Sequence, residues 1–132
     1  MNELIKSIKE HEGFKGTCYK DSLGIDTIGY GTKLPITKDE GEMLLKHRLG
    51  AMIYELQLNK PFINKLDPVI KNVLYEMVYQ LGVGSLLKFK RMWKAIENND
   101  TEGMIREMRD SKWYKQTPNR VEKLINKLRS VK

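Results

Sequence analysis

Two carboxylates and one hydroxyl stand at Glu12-x8-Asp21-x5-Thr27, within the runs Glu12-Gly13-Phe14, Tyr19-Lys20-Asp21 and Thr27-Ile28-Gly29-Tyr30-Gly31. The segment passes from helix-type to hairpin-type sequence. A helix end followed by a tight hairpin can turn all three side chains toward one cleft. Two carboxylates across a cleft are what glycosidic hydrolysis requires: one protonates the leaving oxygen, and the other steadies the cationic sugar or orients water. Glu12 is the candidate acid, because a carboxyl at a helix C-terminus meets the negative end of the helix dipole, which favours the protonated form a general acid needs. Each residue also has a plainer role. Glu12 could be a solvated helix end, aspartate is common at turns, and threonine is routine in strands. Only the joint spacing lifts them above those roles.

The elements that must hold these residues are legible around them. Residues 2–12 form an expected helix with Asn2 as N-cap and Leu4, Ile5 and Ile8 on one face, stopped by Gly13. Residues 17–32 are β-rich: 17–19 and 27–30 flank the turn-type stretch Asp21-Ser22-Leu23-Gly24. Thr37-Lys38-Asp39-Glu40 is a capping box opening a helix to about Leu58, roughly 30 Å long at ~1.5 Å per residue. Asp67-Pro68 opens a helix with Val69, Val73, Leu74, Met77, Val78 and Leu81 on its apolar face, ended by Gly82-x-Gly84. Shorter helices are expected near 88–98 and 101–109. Thr117-Pro118 opens the last, with Val121, Leu124, Ile125 and Leu128 in a stripe. The fold class is therefore α+β: a small lobe with a β-hairpin, then an all-helical lobe, joined by a long helix.

The chain has 132 residues, enough for one domain with a real core. No apolar run approaches the ~18 residues of a membrane span. The start, Met1-Asn2-Glu3-Leu4-Ile5-Lys6, lacks a secretory layout, so no export route of its own is expected. Cys18 is the one cysteine, which excludes an internal disulfide and fits a reducing compartment. It is expected to be a small, partly buried strand residue. His11 and His47 form no metal motif, and neither metal nor cofactor is expected. Residues 1–60 carry nine basic and nine acidic groups, whereas 61–132 carry fifteen and eight, so the whole net charge of +7 lies in the second part. Such a surface favours polyanions.

The run from Glu12 to Gly31 resembles the catalytic region of the phage-type lysozymes, glycoside hydrolase family 24. The likeness continues through Ile36-Thr37-Lys38-Asp39-Glu40, Met77-Val78-Tyr79-Gln80-Leu81-Gly82 and Trp113-Tyr114-x-Gln116-Thr117-Pro118-Asn119-Arg120, in the family's order. It implies a single lysozyme domain, with a small lobe at about 13–36, an inter-lobe helix at 37–58, and a helical lobe at 59–132 on which helix 2–12 packs. It implies hydrolysis of the β-1,4 bond between N-acetylmuramic acid and N-acetylglucosamine in peptidoglycan, without cofactor and with inversion. Glu12 would be the acid, with Asp21 and Thr27 positioning water. Tyr79, Gln80 and Arg120 would contact substrate, and Arg120 would also pair with Glu12. The implied setting is a monomeric endolysin made in the bacterial cytoplasm, acting on the wall after release through a separate pore. Peptidoglycan is the expected partner, an anionic envelope surface a further one, and nucleic acid none.

Departures from the family's pattern are visible. Only Thr32 to Ile36 connect hairpin and long helix, Thr32 replaces a histidine, and Glu76 replaces a neutral amide. Trp93, Trp113 and Tyr114 are expected in the core. The terminal helix, with Lys123, Lys127, Arg129 and Lys132 beside its apolar stripe, suits either docking on the lobe or lying on an anionic membrane. Two other functions stay open at this level: a lytic transglycosylase using Glu12 alone, and a non-enzymatic basic module for wall or nucleic acid.

Overall fold

The computed structural model describes residues 1–131. The chain divides into two compact units, Met1–Leu44 and Leu45–Lys132. The first holds helix α1 (Asn2–Glu12), strands β1 (Lys15–Lys20), β2 (Asp26–Gly29) and β3 (Thr32–Lys33), and the start of helix α2 (Lys38–Asn59). The division falls within α2.

Helix α1 covers residues 2–12 as expected, but its cap differs. Met1, not Asn2, is the N-cap, and the Ile5 N–H donates to the Met1 carbonyl at 3.0 Å. Gly13 ends the helix as expected, with φ +67° and its N–H on the Lys9 carbonyl at 2.9 Å. Glycine adopts that left-handed backbone without a Cβ clash. The three strands form an antiparallel sheet in the order β1-β2-β3, with Tyr19 opposite Thr27, Lys20 opposite Asp26, and Thr27 opposite Lys33. The register shifts between Lys15 and Tyr19. Strand β3 was not foreseen, because two residues carry no alternation pattern. Cys18 is exposed in β1 rather than partly buried. The capping box forms in both directions: Thr37 N–H donates to Glu40 Oε1 at 2.8 Å, and Glu40 N–H to Thr37 Oγ1 at 3.1 Å.

The second unit continues α2 and adds a 3-10 turn (Pro61–Lys65), then α3 (Pro68–Leu81), α4 (Val83–Leu87), α5 (Lys90–Glu97), α6 (Thr101–Arg109), α7 (Lys112–Gln116) and α8 (Pro118–Leu128). Asp67 caps α3 by accepting the Val69 N–H at 2.8 Å, and Pro68 sits where the missing donor costs nothing. The sequence showed only a stop at Gly82-x-Gly84. A new helix, α4, starts at once, because Val83 and Leu86 reach the core. Helix α7, also unforeseen, is capped by Ser111, whose Oγ accepts the Tyr114 N–H at 3.1 Å.

Every buried apolar side chain lies in this unit, from Leu56 on α2 to Leu128 on α8. Val73, Leu74, Met77 and Val78 of α3 form its centre. Trp93 is buried edge-on to Phe62, its Nε1 donating to the Leu86 carbonyl at 2.9 Å. Trp113 is buried too and Tyr114 is partly so, in line with the sequence. Val121, Leu124, Ile125 and Leu128 all face the core, so α8 is a docked helix. Its basic side chains lie outside: Lys127 pairs with Glu76 at 3.2 Å and Arg129 with Glu102 at 3.1 Å. Lys132, the last of that basic set, lies outside the described residues. Among the described residues no helix is long and apolar enough to cross a membrane.

Candidate active site

The first unit brings the two candidate carboxylates, Glu12 and Asp21, to the same small sheet. Glu12 ends α1 and is exposed. Its carboxylate lies against Gly31: a Cβ built there would meet Glu12 Oε2 at 2.6 Å and Cδ at 2.8 Å. Gly31 also has φ +78°. The backbone shape favours glycine at the end of Thr-Ile-Gly-Tyr-Gly, and any side chain there would push the Glu12 carboxylate aside.

Asp21 stands between β1 and β2. Its N–H donates to the Ile25 carbonyl at 2.9 Å, and its carbonyl accepts from Gly24 at 3.0 Å. The side chain closes the same turn. Oδ1 accepts the N–H groups of Leu23 and Ile25, both at 2.9 Å, and Oδ2 accepts from the Lys33 ammonium on β3. Only 13% of the Asp21 side chain is exposed. The Lys33 ammonium, then the Ile25 N–H, hold its carboxyl down to about 2 against the effect of burial, with Leu23 adding to them. Asp21 is therefore ionised and fixed in orientation at any pH near neutral. Lys33 is raised in turn, chiefly by Asp21 and, to a smaller extent, by Glu12 and Tyr19.

Thr27 is the one fully buried residue of the first unit and, among the described residues, the one buried polar side chain. Its Oγ1 donates to the Ile25 carbonyl at 2.8 Å. Ile25 thus links the two candidates: its carbonyl receives Thr27, and its N–H goes to Asp21. Spacing could not have revealed Lys33. It acquires a partner only because β3 pairs with β2 and returns the chain beside the turn.

Tyr79, Gln80 and Arg120 lie in the second unit. Tyr79 is 40% exposed at the end of α3, leaving ring surface available for stacking. Gln80 Oε1 accepts the indole N–H of Trp113 at 2.9 Å, tying α3 to α7. Arg120 is exposed in the first turn of α8. Glu76, the departure noted above, is occupied by Lys127. Another polar lock joins α6 to α8: Arg109 grips Glu122 through two bonds of 2.9 Å. Arg109, with Tyr114 beside it, holds the Glu122 carboxyl down to about 2. No group of three or more potential ligands for a metal occurs among the described residues.

The model of the family described as phage lysozyme matches residues 9–130. The chain belongs to that family, and it is a glycosidase. The phage lysozyme match takes in both carboxylates and the whole buried core. Similarity to individual proteins agrees. Probable T4-type lysozyme 1 of Dictyostelium discoideum is 28% identical over 93% of this chain and 94% of its own length. Peptidoglycan hydrolase gp36 of Pseudomonas phage phiKMV is 36% identical over 93% of this chain, which corresponds to 15% of that larger protein. The pre-baseplate central spike protein Gp5 of Enterobacteria phage T4 is 26% identical over 92% of this chain and 26% of its own length. The same module thus occurs alone and inside larger proteins.

Proposed function

We propose that this chain hydrolyses the β-1,4 bond between N-acetylmuramic acid and N-acetylglucosamine in bacterial peptidoglycan. The substrate class follows from kinship with proteins named as lysozymes and as a peptidoglycan hydrolase. The observation that carries the assignment of roles is the asymmetry of two neighbouring carboxylates. Asp21 is shielded and locked by a cation and two N–H groups, whereas Glu12 ends a helix, exposed and resting on Gly31. Carboxylates whose surroundings differ in this way divide acid and base work between them.

In this reading Glu12 donates its proton to the glycosidic oxygen as the bond breaks. Asp21, charged near neutral pH, orients the attacking water and steadies positive charge on the sugar ring. Thr27 serves that water indirectly: buried, it braces the Ile25 carbonyl and so holds the turn that aims Asp21. In the second unit Tyr79 offers a stacking face and Gln80 its amide N–H groups, the amide oxygen being taken by Trp113. Displacement by water on the face opposite the leaving group gives inversion.

Digestion of purified murein, with mass spectrometry of the products, tests this. Soluble fragments ending in reducing N-acetylmuramic acid are expected. Anhydro ends would replace hydrolysis with transglycosylation. Reducing N-acetylglucosamine ends would assign the other bond, and an intact sacculus would remove enzymatic activity altogether.

A further inference from the structure

Lys33 is the least explained charge in the first unit. It belongs to no motif, and its strand is two residues long. Yet its ammonium reaches back across β2 to Asp21 Oδ2, the one carboxylate oxygen not already bonded to the turn. The two ends of the pair differ in exposure: 13% of the Asp21 side chain is open to solvent, against 53% for Lys33. The shielded carboxylate thus depends on its partners, whereas the lysine can be replaced without opening a cavity. The other charged and titratable groups around the pair come from three elements. Glu12 ends α1, Tyr19 and Lys20 lie on β1, and Asp26 lies on β2. Lys20 is engaged by Asp26 at 2.7 Å, and the Tyr19 ring carries Lys15 at 4.4 Å from its centroid. Lys33 is the cation hydrogen-bonded to Asp21.

We propose that Lys33 is a positioning residue for the glycosidase reaction: by gripping Oδ2 it fixes the rotamer of Asp21, so that this carboxylate keeps its aim at the sugar and the attacking water. The inference rests on Asp21 acting as the charged partner of Glu12. Without Lys33, Oδ2 is free to rotate and to take a proton. Loss of an opposite charge in hydrogen-bond contact raises a carboxyl by about one to three pH units. A water held by a loosened carboxylate reacts more slowly, because near-attack geometry is sensitive to shifts of about 1 Å.

The test compares Lys33→Met, Lys33→Arg and Asp21→Asn in the full chain. Soluble murein fragments serve as substrate, and the Asp21 carboxyl is followed by 13C NMR titration. Lys33→Met is expected to move the acid limb of kcat/KM upward by about one pH unit, with the same upward move in the NMR titration. At neutral pH it should lower kcat several-fold with KM little changed and the melting temperature close to that of the parent. Lys33→Arg should restore the parent profile. An Asp21 titration unmoved in Lys33→Met overturns the proposal. So does a loss of rate equal at all pH values that arginine fails to rescue, which is the mark of a structural role. An acid limb unmoved while Asp21→Asn is inactive rejects Lys33 alone. A fully active Asp21→Asn rejects the catalytic reading on which the inference rests.

Discussion

The two units spend their residues differently. The second, from Leu45 onward, holds every buried apolar side chain among the described residues and opens α3, α6 and α7 with side-chain caps from Asp67, Asp100 and Ser111. The first buries a single residue, Thr27, and that residue is polar. Its order comes from an antiparallel sheet of three short strands, glycines at positive φ, and a chain of polar contacts running Thr27–Ile25–Asp21–Lys33. The contrast teaches where chemistry can be placed. A carboxylate in an apolar core is expensive to ionise, whereas one on a small polar sheet can be aimed and charged by its neighbours. The apolar core and the two candidate carboxylates thus lie in different units.

Substitutions can break or sharpen that separation. The largest stability effect is expected in the second unit. Leu124→Ala removes a buried side chain from α8 and should destabilise by about 2–5 kcal/mol, the range for a truncated core leucine, read by denaturant unfolding. Exposed Leu23→Ala in the first unit should stay within about 0.5 kcal/mol. Equal effects would show that the first unit hides a core of its own. If Leu124→Ala leaves stability intact, α8 is not docked.

Gly31→Ala should act the other way, harming activity more than folding. An alanine at that φ costs about 1–2 kcal/mol, and its Cβ would displace the Glu12 carboxylate. Lysis should then fall on the order of 10- to 100-fold, the scale of a misplaced catalytic group. Normal lysis from a destabilised Gly31→Ala would show that the position of Glu12 against Gly31 is irrelevant to the reaction.

Thr27→Val is expected to be milder for stability. The Ile25 carbonyl keeps the Asp21 N–H, so the loss is one ordinary hydrogen bond, about 0.5–1.5 kcal/mol. Activity should decline further than stability does. Unchanged activity would assign Thr27 to the scaffold.

The smallest effect is in acid. Asp21 and Glu122 both titrate near 2, below their ordinary values of 3.8 and 4.5. A lowered carboxyl stabilises the fold fully above its unfolded value, and that stabilisation is lost as pH falls through the folded one. The melting temperature should therefore decline between about pH 4.5 and 2. Asp21→Asn and Glu122→Gln should each flatten part of that decline. The two pairs lie in different units, so their contributions should add.

These contrasts also explain what the sequence disclosed. The Thr37–Glu40 box, Asp67-Pro68 and the stripes of α3 and α8 are local signals, and each forms as expected. The α+β class followed from them. The turn at Asp21 and the stop at Gly13 were legible because glycine and aspartate act on their own neighbours. Elements of two to five residues were not: β3, α4 and α7 are too short for periodicity and exist because neighbouring structure holds them. Asn2 is a better capping residue by type, yet Met1 takes the position because its backbone carbonyl alone suffices. The three candidate residues could be picked out from the spacing Glu12-x8-Asp21-x5-Thr27. Their surroundings were not, since the grip of Lys33 on Asp21 and the approach of Glu12 to Gly31 arise only once the sheet has closed.

The most direct test of the division of labour is Glu12→Gln, assayed on purified murein alongside a thermal melt. The side chain keeps its shape and its place beside Gly31 but loses its transferable proton. We expect cleavage to fall by at least about 100-fold, the scale of general acid catalysis, with the melting temperature unchanged. Near-normal cleavage by a folded Glu12→Gln would contradict the assignment and move the acid elsewhere in the chain.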